Sequence, residues 1–365
     1  MCVTNFWHKP QVACKKRQYF KIQNPKSKII PLQKVLITGA AGFIGSHLCH
    51  RLLQEEWQVI GVDHMTDRPN EKLKRDRVAS LSSNDRFTMI EQDLSDAEGV
   101  LALFEDHSFD VVIHLAAQTG VRDSLQRTKA YVRDNLVGFT HVLEAASEQE
   151  VDHFLYASSS SIYGANTSQP YSVHNDANHP ISFYAATKKS NEMLAHSYAH
   201  LTGMPVSGLR FFTVYGPWGR PDMAYYHFAR KIKNGEPITV YNKGDMFRDF
   251  TYVDDIVEAV TRLIDHPPEA DPGWNSDDPD PATSSAPYRI YNVGNNNPIK
   301  LAEFIRLLEE KMGKEAEKNY EPMKPEEVYK TWADCTDLYN IINFQPSTTL
   351  EEGIQAFVDW FRTYH

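Results

Sequence analysis

Cysteine is scarce: Cys2, Cys14, Cys49 and Cys335 are all there are in 365 residues. No two of them form a CxxC pair or a zinc-finger spacing. That excludes a disulfide framework and a cysteine zinc module, and it fits a reducing, cytoplasmic compartment. Apolar runs are short, and none approaches the ~18 residues that an α-helical membrane span needs. Acid is missing from residues 1–34, which carry seven Lys and one Arg. With a net charge of -10 for the whole chain, the remainder therefore stands at -18. So negative a body argues against general nucleic-acid binding. An enzyme of anionic substrates would need local cations working against that field. No apolar segment follows the basic N-terminus, so no secretory signal is expected, and no repeat of fixed period is found.

What is present is ordinary for a globular protein: 41% hydrophobic and 24% charged residues. The length suggests two domains. Residues 1–32 read as a basic extension, disordered or acting as a surface-binding arm. Apolar strand-like runs follow at Lys34–Thr38, Gln58–Val62, Phe87–Ile90, Val111–Leu115, Phe154–Ala157 and Val206–Phe211. Between them lie helical stretches at Ile44–Glu56, Asp96–Glu105, Ala130–Gln149 and Ala185–Leu201. This alternation predicts an α/β fold: a Rossmann-type doubly wound parallel sheet covered on both faces. Residues 33–212 form the expected cofactor domain, with 251–266 and part of 288–295 returning to it. Residues 213–365 supply most of a smaller, partly interleaved α/β substrate domain. The stretch 267–287, with six Pro, five acids and no base, reads as a mobile acidic surface loop. A strand at Tyr288–Val293 and helices at Leu301–Lys311 and Leu350–Tyr364 complete the pattern.

The segment from Thr38 to Gly45 is a Gly-x-x-Gly-x-x-Gly turn between strand and helix. Gly39 permits the tight turn, Gly42 lets the backbone approach a pyrophosphate, and Gly45 lets the helix pack closely. Free amides at the helix start would hold the phosphates. Asp63 stands 18 residues after Gly45, at the end of the second strand. There its carboxylate can bond an adenosine ribose diol and repel a 2′-phosphate, which favours NAD over NADP; the plainer alternative is a helix cap. Asp93, after the third strand, is either an adenine-edge contact or the cap of the next helix. Small residues close the fourth strand where a cofactor backbone must pass: His114-Leu115-Ala116-Ala117-Gln118.

Tyr184 and Lys188 lie four apart, on one face of a helix. An ammonium beside a phenol favours the phenolate. Moving a phenol from ~10 to ~7 takes roughly 4 kcal/mol, at about 1.36 kcal/mol per unit. Such a tyrosine is a general base near neutral pH. Upstream, Ser158-Ser159-Ser160-Ser161-Ile162-Tyr163-Gly164 follows a strand, and a hydroxyl there completes a Ser–Tyr–Lys arrangement through Ser159.

These motifs together resemble the extended short-chain dehydrogenase/reductases over roughly residues 33–365. Within that group, five segments look like the UDP-glucuronate 4-epimerases: Ala116–Arg122, Ser158–Gly164, Phe183–Lys189, Leu209–Met223 and Arg248–Asp255. The resemblance implies a tightly bound NAD that is regenerated each turnover, and a UDP-sugar substrate. It implies that Tyr184 removes the 4-hydroxyl proton while C4 gives up hydride, and that the 4-keto sugar turns and takes the hydride back on its other face. By the same resemblance Phe43, Ile44, Leu94, Leu115–Gln118, Asn135, Phe211, Phe212 and Val214 line the cofactor. Arg122, Ser159, Ser160, Ser161, Thr213, Arg220, Arg248, Lys324 and Glu327 face the substrate. A homodimer seam would form from the Ala130–Gln149 and Ala185–Leu201 helices.

Related decarboxylases and dehydratases place a Glu two residues before the Tyr-Gly of the serine loop; here that residue is Ser161. Hydroxyls can hold a substrate carboxylate without like-charge repulsion, which favours epimerisation. Two departures bear on substrate preference. Asp123 stands where the family has Tyr, and Glu326-Glu327 where it has Gly-Asp. The alternatives are another UDP-hexose 4-epimerase, a UDP-glucuronate decarboxylase, or a silent NAD-binding regulator. His196 and His200 lack a third ligand, so no metal site is expected. The Tyr225–Phe228 cluster reads as core or interface.

Overall fold

The computed structural model describes residues 33–65, 71–323 and 328–365. In chain order the elements up to the catalytic helix are β1 (Lys34–Thr38), α1 (Phe43–Gln54), β2 (Gln58–Asp63), α2 (Glu71–Ala79), β3 (Phe87–Glu91), α3 (Ala97–Asp106), β4 (Val111–His114), α4 (Thr128–Tyr131), α5 (Gly138–Glu148), β5 (His153–Ser159) and α6 (Phe183–Thr202). Then follow β6 (Val206–Phe211), β7 (Thr213–Tyr215), α7 (Ala224–Asn234), β8 (Ile238–Tyr241), β9 (Phe247–Tyr252), α8 (Val253–Ile264), β10 (Tyr288–Val293), β11 (Pro298–Lys300), α9 (Leu301–Met312), β12 (Lys318–Glu321), β13 (Lys330–Thr331), α10 (Thr336–Ile342) and α11 (Leu350–Tyr364).

Seven strands form one parallel sheet in the order β10-β6-β5-β4-β1-β2-β3. Its central strands are mostly apolar because both faces are covered, whereas the edge strand β3 is partly exposed. In β1, Val35 and Ile37 enter one core with α1 and α8, while Leu36 enters the other with α3, α5 and α6. Alternate side chains point to opposite faces, so one short strand feeds two cores. Each such side chain contributes roughly 1.5–3 kcal/mol. The order reverses between β1 and β4, the place where such sheets open a ligand crevice at their carboxyl ends.

A smaller sheet pairs β9 with β7 and β13 in parallel and with β11 antiparallel, and a β8–β12 ribbon lies apart from it. Helices α7, α9 and α11 close a third, aromatic-rich core over β8 and β9, including Tyr225, Tyr226, Phe304, Phe357 and Phe361.

Three features depart from the sequence reading. The expected Ala130–Gln149 helix is interrupted by a π-helical segment, Val132–Val137, which divides it into α4 and α5. The expected acidic surface loop is not exposed throughout: Ala282 and Ala286 are buried in the α6-side core, and Ser284 Oγ bonds His196 Nε2 at 2.8 Å. Helix α2 escaped notice because its sequence is charged and buries only Leu73 and Arg77.

Candidate active site

The glycine turn is built by sterics. Gly39 has φ 71°, and a Cβ there would lie 2.8 Å from the Ala116 amide nitrogen. A Cβ on Gly45 would lie 2.2 Å from the Gly39 carbonyl oxygen. Only hydrogen fits, so α1 sits tight against the β1 turn. Gly42 caps α1 without a side chain, leaving first-turn amides to face an anion.

Asp63 is buried at the end of β2 and accepts from the Ala41 amide at 3.2 Å, the Met65 amide at 3.1 Å and Lys74 Nζ at 2.9 Å. It therefore sits against the glycine turn instead of capping a helix. Asp93 caps no helix either. It accepts from the amide and hydroxyl of Ser95, at 2.9 and 2.7 Å, while Asp96 occupies the cap position of α3. Phe43, Phe211 and Val214 belong to one core, with Ile44 packed against it, and Leu94 to the core on the other face of the sheet.

The π-helical segment has a consequence for the site. It turns Asn135 inward, where Oδ1 accepts from the Gln118 amide at 2.7 Å. Its Nδ2 donates to Gln118 O and to Thr187 Oγ1, both at 3.0 Å. A single buried amide thus ties Gln118 to helix α6. Extra-residue turns of this kind are common at functional sites.

At the carboxyl end of β5, Ser159 caps a short 3-10 turn, Ser160–Tyr163. Its Oγ accepts from the Ser161 amide and lies 3.2 Å from Ser161 Oγ. Gly164, with φ 50°, ends the turn, and a Cβ there would meet the His179 carbonyl. Tyr184 stands at the start of α6, which Ser182 caps through the Ala185 amide. Burial pushes the Tyr184 phenol above its usual value, whereas a hydrogen bond with Ser159 and the Arg220 guanidinium pull it back.

Lys188 differs from expectation. It is fully buried and donates to the Ala157 carbonyl at 2.8 Å, and burial pulls its ammonium down to about 7. Arg220, from the strap that follows β7, also favours the charged form of the phenol. Tyr184 and Lys188 share a face of α6, as the spacing implies, but the Lys188 ammonium donates to a main-chain carbonyl that the spacing could not reveal.

Arg220 is steadied by Asp222. Thr213 and Phe212 lie where β6 passes into β7, and Phe212 joins a small core with Tyr163 and Tyr171. Arg248, on β9, donates to Phe247 O at 2.8 Å and Tyr329 O at 3.3 Å, and acts electrostatically on Tyr171. Arg122 is exposed on the loop before α4. Lys324 and Glu327 lie outside the described residues.

Sequence reasoning missed the buried network below the serine turn. Glu192 receives Ser158 Oγ at 2.8 Å and both arms of Arg210, and Arg210 Nη1 donates to Tyr163 OH at 3.0 Å. The signal was legible: Arg210 is a lone charge in an apolar strand, and Glu192 follows Lys188 by one helical turn. His114 at the end of β4 is also buried, 3.1 Å from Thr38 Oγ1, and burial pulls its imidazole down to about 3, so it is neutral.

The glycine cradle, the free α1 amides and the carboxylate of Asp63 fit a dinucleotide. Tyr184 hydrogen-bonds Ser159 and feels the Arg220 guanidinium, with Lys188 one turn along α6. The model of the "NAD dependent epimerase/dehydratase family" matches residues 35–294. The chain is 49% identical to Protein CapI of Staphylococcus aureus over 332 residues, 91% of this chain and 99% of that protein. It is 41% identical to UDP-glucuronate 4-epimerase 1 of Arabidopsis thaliana over 338 residues, 91% of this chain and 77% of that protein. Among solved structures, UDP-glucuronic acid 4-epimerase from Bacillus cereus, in complex with UDP-glucuronic acid and NAD, is 32% identical with a TM-score of 0.79, covering 91% of this chain and 100% of that one. The chain belongs to the NAD dependent epimerase/dehydratase family.

Proposed function

We propose that this protein is an NAD-dependent 4-epimerase that interconverts UDP-glucuronate and UDP-galacturonate. Residues 33–212, with α8 and β10, hold the dinucleotide, and most of 213–365 holds the UDP-sugar. The glycine turn takes the pyrophosphate, Asp63 the adenosine ribose, and the Leu115–Gln118 passage the rest of the cofactor. When bound, NAD supplies a hydride acceptor that returns the same hydride to C4.

The chain's own groups move the proton. Tyr184 takes it from the 4-hydroxyl and gives it back, with Ser159 bonding the reacting oxygen. Arg220 favours the phenolate at the moment it forms. Lys188, held at the Ala157 carbonyl, lies one turn along α6 from Tyr184. Ser160, Ser161, Thr213 and Arg220 meet the sugar carboxylate; Arg122, Arg248, Lys324 and Glu327 meet the sugar and the nucleotide diphosphate.

The observation that carries the uronate reading is the serine turn: next to Tyr184 it offers hydroxyls at Ser159 and Ser161, with the cation Arg220 also acting on that tyrosine. An acid at Ser161 would repel a uronate and would protonate a decarboxylated intermediate. Here epimerisation proceeds without that route. The test is incubation of purified protein with UDP-glucuronate and no added NAD. UDP-galacturonate is the expected product; UDP-xylose, or no product, contradicts the reading.

The protein acts as a homodimer in this reading. Val132 and Val137 on the π-helical segment, and Met193 and Leu201 on α6, are exposed apolar residues on the two elements expected at the seam. Buried free thiols at Cys49 and Cys335 suit a reducing cytoplasm. No helix among the described residues is long and apolar enough to cross a membrane.

A further inference from the structure

Arg77, on α2, is a buried guanidinium in an unusual setting. Its Nη1 donates to the Ala41 carbonyl at 2.9 Å, inside the glycine turn. Its Nη2 donates to the carbonyls of Trp218 and Gly219, at 2.5 and 3.3 Å. Those two residues immediately precede Arg220, and they lie 141 and 142 positions away from Arg77 in sequence. Among the described residues no carboxylate pairs with it; all its partners are main-chain oxygens, and its Nε has none.

A buried cation without a counter-ion is costly. Burial accordingly pulls Arg77 down to about 10, with Asp63 and Tyr225 opposing the effect and Arg220 adding to it. The segment it grips is itself constrained. Trp218 has φ 58°, a left-handed conformation rare for a large side chain. Its ring packs on Trp360 and Tyr364 of α11, at 5.4 and 5.3 Å between centroids. A Cβ on Gly219 would collide with Tyr225. The strap therefore has one arrangement, held by α11 on one side and by Arg77 on the other.

We propose that Arg77 is a positioning residue that joins the dinucleotide turn to the Arg220 strap, so that the cofactor site and the sugar-anion site are assembled as one unit. The fork geometry makes this possible: one planar group spans two segments with separate N–H donors, which a lysine ammonium cannot do with the same reach. The charge itself adds positive potential beside the turn that receives the diphosphate. The inference rests on the epimerase reading in taking Arg220 as a substrate cation.

The experiment compares the native chain with Arg77→Lys and Arg77→Met. NAD content is read after dialysis with and without UDP, UDP binding by calorimetry, and KM and kcat with UDP-glucuronate. In the native chain, UDP slows NAD loss. In both variants NAD retention falls, UDP binds about tenfold more weakly, KM rises by about tenfold with kcat changed less, and UDP no longer slows NAD loss. Arg77→Lys keeps a melting temperature near the native one, which separates positioning from folding. Native NAD retention, UDP affinity and coupling in Arg77→Lys and Arg77→Met would overturn the proposal, as would losses that only follow the unfolded fraction. If the native chain does not epimerise UDP-glucuronate, the functional reading fails, while the NAD and UDP readouts still decide the role of Arg77.

Discussion

Arg210 and Glu192 meet below the serine turn as a two-pronged buried ion pair, Nε 2.9 Å from Oε1 and Nη2 3.0 Å from Oε2. Burial opposes the Glu192 charge; Arg210, Lys189 and Ser158 overcome it and hold the carboxyl below its usual value. The pair links α6, which carries Tyr184, to β6, and through Ser158 to β5. Removing one partner leaves the other charged and buried. Arg210→Met should cost about 3–5 kcal/mol of stability. Denaturant unfolding checks this, and a Glu192→Leu/Arg210→Met double variant should lose less than Arg210→Met alone.

Tyr184 is the proposed base, so Tyr184→Phe should lower kcat by about 10²–10⁴-fold. The ring keeps its edge contact with Tyr131, at 6.3 Å between centroids, and the fold is retained. NAD should copurify as in the native chain. Turnover near the native rate would remove Tyr184 from the reaction.

Ser161→Glu places a carboxylate where the proposed substrate carboxylate lies. Like charges at close range raise KM for UDP-glucuronate, by about tenfold or more. Product chromatography should also show pentose formation rising above the native level. An unchanged KM would mean that Ser161 does not face the uronate.

Stability should fall as the medium turns acid. His153 donates through Nδ1 to the Ile264 carbonyl at 3.2 Å and accepts at Nε2 from Ser207 Oγ at 2.9 Å, and burial pulls it from 6.5 down to about 4. Between about pH 4 and 6.5 the unfolded chain binds a proton there that the folded chain does not. Stability contributed by this group is therefore complete above pH 6.5 and is lost as pH falls towards 4. His153→Gln should flatten the fall in melting temperature between pH 7 and 5. An identical slope in both proteins would show that His153 is not the titrating group.

The parallel sheet was legible because each of its strands is a short apolar run between turn residues, and Val206–Phe211 and Tyr288–Val293 coincide with β6 and β10. The glycine turn was legible because sterics allow nothing larger at Gly39 and Gly45. Other features were hidden by the limits of local pattern. The π-helical segment at Val132–Val137 keeps an amphipathic sequence while shifting its hydrogen bonds by one residue, so periodicity reads it as plain helix. Helix α2 is stabilised by what Arg77 and Lys74 reach across space, which no window of α2 itself records. The acidic loop looks solvated from its charge, yet Ala282, Ser284 and Ala286 are small enough to pack against α6 and β10. The Lys188 ammonium donates to Ala157 O, a main-chain acceptor that side-chain spacing cannot reveal.

The most direct measurement follows a label. UDP-glucuronate carrying deuterium at C4 is incubated with the purified protein, without added NAD, in ordinary water, and the product is examined by mass spectrometry and NMR. Deuterium should remain on C4 of the UDP-galacturonate formed, because the hydride leaves and returns within one site. Loss of the label to solvent, or its appearance in reduced dinucleotide released to the medium, would contradict the account.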